Sequence, residues 1–481
     1  MHVDSNSIIL VIIIVVIVIV VIILITRRPC TRRCVSSERK IVSAPSRDRI
    51  VVAHGGRKRC PCKKKHSSSS SSSSSSSKRK SCPPKDESDD EEPEEPVPPC
   101  NAACRGVLNP TFGVQGRSLF FSQDVAVQSP GVNLLLYYDS IRKIDDTGAE
   151  IGGIVGLGAL IAYTFSAEKM AVQADKKIVI VGDDRVNGAT VVRLNPDTTL
   201  DTSFNGTGIF RIKLGKVARY DYLHDVIITS SGQIVAVGSR STDEEEEDTD
   251  GVVLNLNSNG TLNTAFNGTG IYFLLSESSS SALYGVVEQK DKKLVAAGFD
   301  GPTGLVIRFN PDGTLDSSFA GDGIVQTGVI NGEFPSYTNV TIQSTGRIIA
   351  IGYSRDNDNT TADGAAIVAY TPTGDIDTTF GNSGTVFVKY PGFDSRFLDA
   401  LVLCDNSLIL TGFGFPTEVS SFITTKYSAN GQLVTTFGTN GVIQIPGEPP
   451  FKSLQGYSVV KLLNGSLLYA GQTSTFNVSC A

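Results

Sequence analysis

The chain has 481 residues and a formal net charge of −6, with no tryptophan and four histidines. Only His224 lies beyond residue 66, which argues against histidine-based acid–base or nucleophilic chemistry in most of the chain. The charge is unevenly spread. Residues 26–80 hold 17 Lys or Arg against two acidic residues, whereas from residue 96 onward 38 acidic residues face 25 basic ones.

After a short tail at residues 1–7, residues 8–25 are 18 consecutive apolar residues without a charge, Gly or Pro. That length spans a hydrocarbon core as one helix, and in lipid the backbone has to satisfy its own hydrogen bonds. The tail carries no Lys or Arg and no small-residue cleavage site follows, so we expect a transmembrane helix rather than a cleaved signal peptide. The sequence thus predicts a single-pass membrane protein, with the lipid bilayer as a partner.

Residues 26–100 have the composition of a disordered stalk, with a basic part, a serine run from Ser67 to Ser77 and an acidic end. Such a segment cannot bury enough apolar surface to fold. Its basic clusters could bind nucleic acid through phosphates, but no aromatic residue lies among them to stack on bases. A solvated tether is therefore favoured over a nucleic-acid contact.

Residues 105–480 are built from degenerate repeats, best seen in LVIRFNPDGTLDSSFAGDGIVQ at residues 305–326. Each repeat has a corner Phe followed by Gly, and a second signal such as KKIVIVG, in which a polar turn precedes an apolar run. Four apolar runs of about 5–7 residues fall in each period, too short for helices and rich in β-branched residues. The corner residues are Phe112, Phe204, Phe266, Phe319, Phe380 and Phe437.

These repeats predict an all-β fold, a β-propeller of about seven four-stranded blades. A single four-stranded sheet cannot bury both faces, whereas a ring of blades buries each face against its neighbour. Each corner Phe would then be a wedge between two blades. Seven blades require a degenerate first unit ending near Glu150; six is the alternative if that unit is an insertion, and a solenoid is less favoured.

The segment from Pro311 to Phe319, PDGTLDSSF, resembles the delta-60 repeat, a β-propeller family of uncharacterised function, nearly position for position. Asn195-Pro196-Asp197 and the run Asp201–Phe204 are similar to it as well. The resemblance covers about residues 108–480. It implies a propeller and brings no catalytic residues with it.

Seven of the nine cysteines precede residue 105, and Cys404 and Cys480 lie in the repeats. A propeller brings its first and last blades together. We therefore expect a disulfide between Cys480 and Cys104, or Cys100, clasping a ring that otherwise lacks a shared closing blade. Such a bond needs an oxidising compartment.

Seven Asn-x-Ser/Thr sequons are candidate glycosylation sites: Asn205, Asn259, Asn267, Asn339, Asn359, Asn464 and Asn477. Like the disulfide, they favour a propeller on the exterior or luminal side. The basic flank of residues 8–25 favours the opposite topology by the positive-inside rule. Because large domains translocate despite flanking charge, we lean slightly to the exterior or luminal side.

Taken together, the sequence predicts a membrane-anchored binding or scaffold module without enzymatic activity, metal or cofactor, whose propeller face contacts a protein or glycan. An alternative is a glycan-active hydrolase or lyase using carboxylates at the channel mouth, and three or more acidic or Tyr residues converging there would favour it. A third is a polyanion-binding adaptor acting through the stalk. Candidate residues for stacking on a sugar are Tyr137, Tyr138, Tyr220 and Tyr222.

Overall fold

The structure, a computed structural model, describes residues 104–479 except 105, 114–115, 119, 162–163, 243–247, 276–279, 357–362, 390–393, 415–420, 447–454 and 472–473. The predicted tail, transmembrane helix and stalk lie outside the described residues and stay predictions. In the described part, no helix has the length and apolar character needed to cross a membrane.

The described residues form seven antiparallel sheets, the predicted seven blades, each following the chain order from its first strand outward. The first strands contact one another in sequence, and that of blade 7 contacts that of blade 1, so they surround a central channel. Blade 1 is β3 (Asp124–Ser129), β4 (Val132–Tyr137), β5 (Ser140–Ile144) and β6 (Val155–Gly156); blade 2, after helix α1 (Leu157–Leu160), is β7 (Phe165–Val172), β8 (Ile178–Asp184), β9 (Gly188–Leu194) and β10 (Ile209–Ile212); blade 3, after a 3-10 turn (Ala218–Tyr220), is β11 (Tyr222–Ile228), β12 (Ile234–Ser241), β13 (Thr249–Leu256) and β14 (Ile271–Leu274).

The remaining blades repeat the arrangement. Blade 4 is β15 (Ser281–Glu288), β16 (Leu294–Asp300), β17 (Thr303–Phe309) and β18 (Ile324–Thr327); blade 5 is β19 (Glu333–Ile342), β20 (Ile348–Asp356), β21 (Gly364–Tyr370) and β22 (Thr385–Val388); blade 6 is β23 (Arg396–Val402), β24 (Leu408–Gly414), β25 (Ser421–Tyr427) and β26 (Val442–Pro446); blade 7 is β27 (Gly456–Lys461), β28 (Leu467–Gly471) and β29 (Thr475–Ser479), joined by β1 (Val107–Leu108) and β2 (Arg117–Ser118).

Blade 7 is shared between the two ends of the repeat region. Strand β1 pairs antiparallel with β29, placing Leu108 opposite Val478, and β2 pairs with the start of the same strand. The expectation that the ring lacks a shared closing blade is therefore wrong. Residues 107–118 contain a corner motif, and the strand beside that motif completes the last blade rather than the first. Hydrogen bonds between strands thus close the ring without requiring a disulfide.

Each of the six corner Phe side chains is fully buried. Phe204, for example, lies in a cluster with Val191 of blade 2 and Val252 of blade 3, so it packs between blades. The cluster between blades 1 and 2 has no corner Phe and instead contains Leu157, from α1. An aliphatic side chain thus fills this apolar interface where the other interfaces have a corner Phe.

The acidic residues of the corner turns have structural partners. Asp312 accepts a hydrogen bond from the Thr314 amide at 3.0 Å, an Asx-type turn. Four residues later, Asp316 is buried and accepts from Arg308 Nε at 2.6 Å, while the Arg308 guanidinium lies 4.5 Å from the centre of the Phe319 ring. These carboxylates hold the corners together, which removes them from the candidates for chemistry.

Candidate functional site: the mouth of the central channel

The innermost strands of blades 2 to 7 share one irregularity near their first residues. Each has a register shift against its neighbour, a β-bulge that leaves one residue without a cross-strand partner. Those residues, together with Gln123 just before β3 of blade 1, line a single cavity of about 450 Å³. The bulge residues are Glu168, His224, Tyr284, Thr338, Leu398 and Tyr457. We call this cavity the channel mouth.

Aromatic side chains form two walls of the channel mouth. On one side the His224 ring lies 4.6 Å from the Tyr284 ring and stacks almost parallel to Tyr222 at 5.9 Å between ring centres. On the other side are Tyr457 and Tyr138, and Tyr138 contacts Tyr137 edge to face at 5.0 Å. At His224, Tyr284 and Tyr457 a bulge turns the side chain toward the channel, because it breaks the alternation that would otherwise direct it between blades.

The floor of the channel mouth is an ion cluster around Lys169, the residue that follows Glu168. Its Nζ atom lies 3.1 Å from Asp124 and 3.9 Å from Asp399, carboxylates of blades 1 and 6. Burial alone would lower the pKa of Lys169, but Asp124, Asp399 and Asp225 raise it above its ordinary value. Lys169 is therefore a fixed cation that bridges blades across the channel.

Each of the three aspartates also binds the backbone of the next blade. Asp124 accepts from the Met170 amide at 2.8 Å, Asp225 from Val286 at 2.9 Å and Asp399 from Val459 at 3.0 Å. Burial raises the pKa of Asp225 to about 6, although Lys169 and two amide donors act in the opposite direction. These carboxylates satisfy exposed edges of the inner strands, so they are structural groups.

Glu168 differs from the aspartates below it. Within the described part of the chain, its half-buried carboxylate makes no hydrogen bond or ion pair. Burial, reinforced by the carboxylate of Asp183, raises the pKa of Glu168 to about 7, with Lys169 acting against the rise. His224 is shifted in the opposite sense, since burial lowers its pKa to about 4 and keeps the ring neutral at neutral pH. Glu168 is thus an acid whose charge changes near physiological pH.

The channel mouth was not predicted as a set of residues. Of the four tyrosines considered for stacking, Tyr138 lines it, Tyr137 and Tyr222 contact lining rings, and Tyr220 lies in the short turn before β11. A usable signal was present in the repeats. Aligned on the inner strands, the column holding Glu168, His224, Tyr284, Thr338, Leu398 and Tyr457 varies freely, whereas the column two residues later, from Met170 to Val459, is apolar in each of blades 2 to 7.

The cysteine prediction lies partly outside the described residues. Cys104 is buried near Phe437 and Leu467 and is disulfide-bonded, and Cys404 is disulfide-bonded too. Cys100 and Cys480 are not among the described residues, so the pairing of Cys480 stays a prediction. The sequence did not predict a disulfide at Cys404, because its position in a turn of blade 6 gave no indication of a partner. Among the described residues, no group of three or more His, Cys, Asp or Glu side chains has the arrangement of a metal site.

The sequons fall into two groups. Asn205, Asn259, Asn267 and Asn464 are exposed in turns. Asn339 donates to Asp399 at 2.8 Å inside the channel, and Asn477 is fully buried and donates to Ser466, which leaves no room for a glycan on Asn477 in the folded protein. Asn359 is not among the described residues. The first four keep their status as candidate sites.

A family model described as a domain of unknown function (DUF5122), beta-propeller, matches residues 173–204 and 289–319. These segments run through the second and third strands of blades 2 and 4 to their corner Phe, and the match supports an uncharacterised β-propeller family. The more specific resemblance to the delta-60 repeat stays a prediction. No curated protein matches the chain.

Several solved structures are similar to the chain. They include the WD40 β-propeller domain of Doa1 (14% identity, TM-score 0.47, covering 78% of this chain and 96% of that one) and a streptogramin B lyase (10%, 0.45, 76% and 94%). YCF48 bound to a D1 peptide is also similar (13%, 0.42, 77% and 97%). Similarity at this level carries no argument about ligand or activity.

Proposed function

We propose that the protein is a membrane-anchored β-propeller that acts as a non-enzymatic binding or scaffold module and takes its ligand at the channel mouth. The β-propeller fold supports a binding or scaffold module, and the apolar run at residues 8–25 supports the anchor. A stalk of the composition found at residues 26–100 would let the head search a volume around its anchor.

The observation that carries the proposal is the convergence at the channel mouth. Seven residues that are far apart in sequence, one from each blade, line one concave cavity of about 450 Å³. Ligand sites are typically concave, partly aromatic and furnished with a few convergent polar groups. The bulges in blades 2 to 7 recur at equivalent positions, and their repetition places one variable side chain from each of these blades at the mouth.

A glycan-active enzyme is the second candidate, and one observation favours it. Tyr138, Tyr284 and Tyr457 converge on the channel mouth with Glu168, which meets the criterion set from the sequence. Glycoside hydrolysis, however, needs two carboxylates flanking the scissile bond. Among the described residues that line the mouth, Glu168 is the one carboxylate. Asp183, close to Glu168, is buried outside the lining, and Asp124, Asp225 and Asp399 are bound to Lys169 or to backbone amides. We therefore favour a binding function over glycoside hydrolysis. The enzymatic activity that the lining residues still fit is that of a glycan lyase using a tyrosine and Glu168.

The polyanion-binding adaptor would act through the basic part of the stalk. It predicts binding that weakens steeply with salt and persists when the propeller is removed, because counterion release depends on the Lys and Arg residues alone. The acidic excess of the chain after residue 96 gives the propeller no part in such binding.

Binding is tested with the full chain in lipid nanodiscs on glycan and peptide arrays. Leu398→Trp fills the channel mouth, and Lys290→Trp places the same bulk in an exposed turn at the other end of β15. Ligands that bind the wild type and Lys290→Trp but not Leu398→Trp support the proposal. Unchanged binding by Leu398→Trp contradicts it, and turnover of any bound glycan replaces it with the enzymatic alternative. Protease protection in sealed membranes checks the anchor and the side on which the propeller lies.

A further inference from the structure

The charges and aromatic rings of the channel mouth indicate which class of ligand it binds; this inference rests on the proposed function of the mouth as a ligand site. The starting point is Glu168. Its half-buried carboxylate makes no hydrogen bond or ion pair in the described part of the chain, whereas the three aspartates beneath it are all paired. A desolvated carboxylate is costly unless a cation or hydrogen-bond donor meets it. The mouth therefore presents an unsatisfied anionic acceptor to whatever enters.

Aromatic hydroxyls lie around this carboxylate. Burial raises the pKa of both Tyr138 and Tyr457. The charge of Glu168 adds to each rise, for Tyr457 less than the neighbouring Tyr138 and Tyr137 do, so both rings stand within its electrostatic reach. Tyr284, stacked on the neutral His224 ring, forms the opposite wall. Tyrosine faces attract an organic cation through the ring quadrupole, and the attraction grows when the cation is desolvated.

The fixed charges around the mouth also favour a cation. The floor holds three aspartates against the single Lys169, and Asp183 adds a carboxylate close to Glu168, offset by Arg185. The other cation that lines the mouth, Arg396, lies 2.8 Å from Asp363 and 4.0 Å from the centre of the Tyr353 ring. Arg396 is thus engaged by an acid and a ring, and its buried Nε atom is the one donor of the guanidinium known to have no hydrogen-bond partner in the described part of the chain. An anionic ligand would meet the unpaired Glu168 carboxylate, whereas a cation would pair with it.

We propose that the channel mouth binds an organic ammonium group, with Glu168 as its counter-ion and Tyr138, Tyr284 and Tyr457 as its aromatic walls. A volume of about 450 Å³ accepts the end of a lysine-like side chain or a methylated ammonium. The ammonium donates to the Glu168 carboxylate while its methylene or methyl groups lie against the rings.

The test uses the full chain in nanodiscs and four probes that share the same capped backbone and differ in their side chains. They are the N-acetyl methylamides of lysine, trimethyllysine, norleucine and glutamate. Binding is measured by ligand-observed NMR. The two cationic probes are expected to bind at least tenfold more tightly than norleucine, and glutamate least. Glu168→Gln removes this preference, whereas Glu288→Gln, which changes a glutamate at the opposite end of the inner strand β15, leaves it intact. Glu168→Asp retains part of the preference, because it keeps the charge.

Equal binding of the lysine and norleucine probes, or lysine binding that survives Glu168→Gln with its preference unchanged, overturns the inference. Absence of binding by all four probes overturns it as well. Failure of the inference and failure of its premise are distinguishable. If the array ligands lost in Leu398→Trp prove neutral or anionic, the mouth is a ligand site and only the ammonium assignment is wrong. If Leu398→Trp loses no ligand, the mouth itself is rejected.

Discussion

The ring of Phe266, at the corner of blade 3, lies directly against Gly313, in the Asn-Pro-Asp-Gly turn of blade 4. A Cβ atom on Gly313 would lie 2.7 Å from Phe266 Cγ and 2.6 Å from the Asn267 amide nitrogen, and the backbone has a φ of 82°. Beside this contact, the Asn267 amide donates a hydrogen bond to the backbone carbonyl of Asp312 at 2.7 Å. The same contact joins Phe204 to Gly260 and Phe380 to Gly431. The corner of one blade is thus fitted to the turn of the next.

We expect Gly313→Ala to lower the free energy of unfolding by about 2–4 kcal/mol, since it combines left-handed backbone strain with a clash against a buried ring. Gly232→Ala is the matched control, because Gly232 has a φ of 78° but nothing within 4 Å of its Cβ position. It should lose only the strain, roughly 1 kcal/mol. Chemical denaturation of both variants checks the difference, and equal losses would show that the ring contact contributes nothing.

A second prediction concerns the floor of the channel mouth. Lys169→Met removes the cation that bridges Asp124 and Asp399 and leaves carboxylates facing one another, which should cost about 3–5 kcal/mol at neutral pH. Burial already raises the pKa of Asp124 and of Asp225 in the native protein, so lowering the pH neutralises them readily. The stability gap between Lys169→Met and the wild type should therefore narrow from pH 7 to pH 5.

Urea denaturation at several pH values measures that gap. Lys290→Met, at an exposed turn position, is the control and should change stability by less than about 0.5 kcal/mol at every pH. A loss in Lys169→Met that stays constant with pH would mean that packing of the lysine stem, rather than its charge, holds the inner strands.

The β-propeller fold was predictable because the same sequence motifs recur in every repeat. The corner Phe and the Gly after it recur often enough to give the seven blades and the burial between them. What the repeats could not give is the closure of the ring, since the pairing of Val107 and Leu108 with β29 joins residues at opposite ends of the repeat region. Strands of two residues are too short to show a hydrophobic pattern, so their pairing follows only from closure of the ring of blades.

The channel mouth was only partly predictable from the sequence. Glu168, His224 and Tyr284 look like ordinary strand residues, and what brings them together is a bulge in each inner strand. The residue before each bulge pairs with the Gly that closes the apolar run of the second strand, such as Gly182 or Gly238, but this Gly does not determine which side chain the bulge presents. The acidic residues of the corner turns are different, because they belong to the repeat motif and their partners lie close by in sequence. Asp312 accepts from the Thr314 amide and Asp316 from Arg308.

A third prediction concerns the cysteines. If Cys480 pairs with Cys104, as the sequence predicts, peptide mapping without reductant should recover one cross-linked peptide containing both, and Cys104→Ser should release a free Cys480 thiol. Because Cys104 is buried among Phe437, Leu467 and other residues of blades 6 and 7, the loss should destabilise closure of the ring, by about 2–5 kcal/mol. Recovery of Cys104 linked to any other cysteine, with Cys480 reduced, would refute the pairing.

A fourth prediction follows from the raised pKa of Glu168. Its folded value of about 7 lies above the ordinary 4.5, so ionisation is disfavoured in the fold, and the stability present below pH 4.5 is lost as the pH rises through 7. After allowance for partial exposure, Glu168→Gln should raise the free energy of unfolding by about 1–2 kcal/mol at pH 8 and change it little at pH 4.

Binding of an ammonium probe should have the opposite dependence on pH. Glu168 gains its charge between about pH 6 and pH 8, while Lys169 stays charged and His224, with a pKa of about 4, stays neutral over that range. Affinity for the lysine probe should therefore rise several-fold, up to about tenfold, between these pH values, and the rise should vanish in Glu168→Gln. Asp183, with a pKa of about 6, also faces Glu168, so Asp183→Asn should shift the midpoint of the rise to lower pH without abolishing it. A pH profile identical in wild type and Glu168→Gln would assign the titration to another group and remove Glu168 from the site.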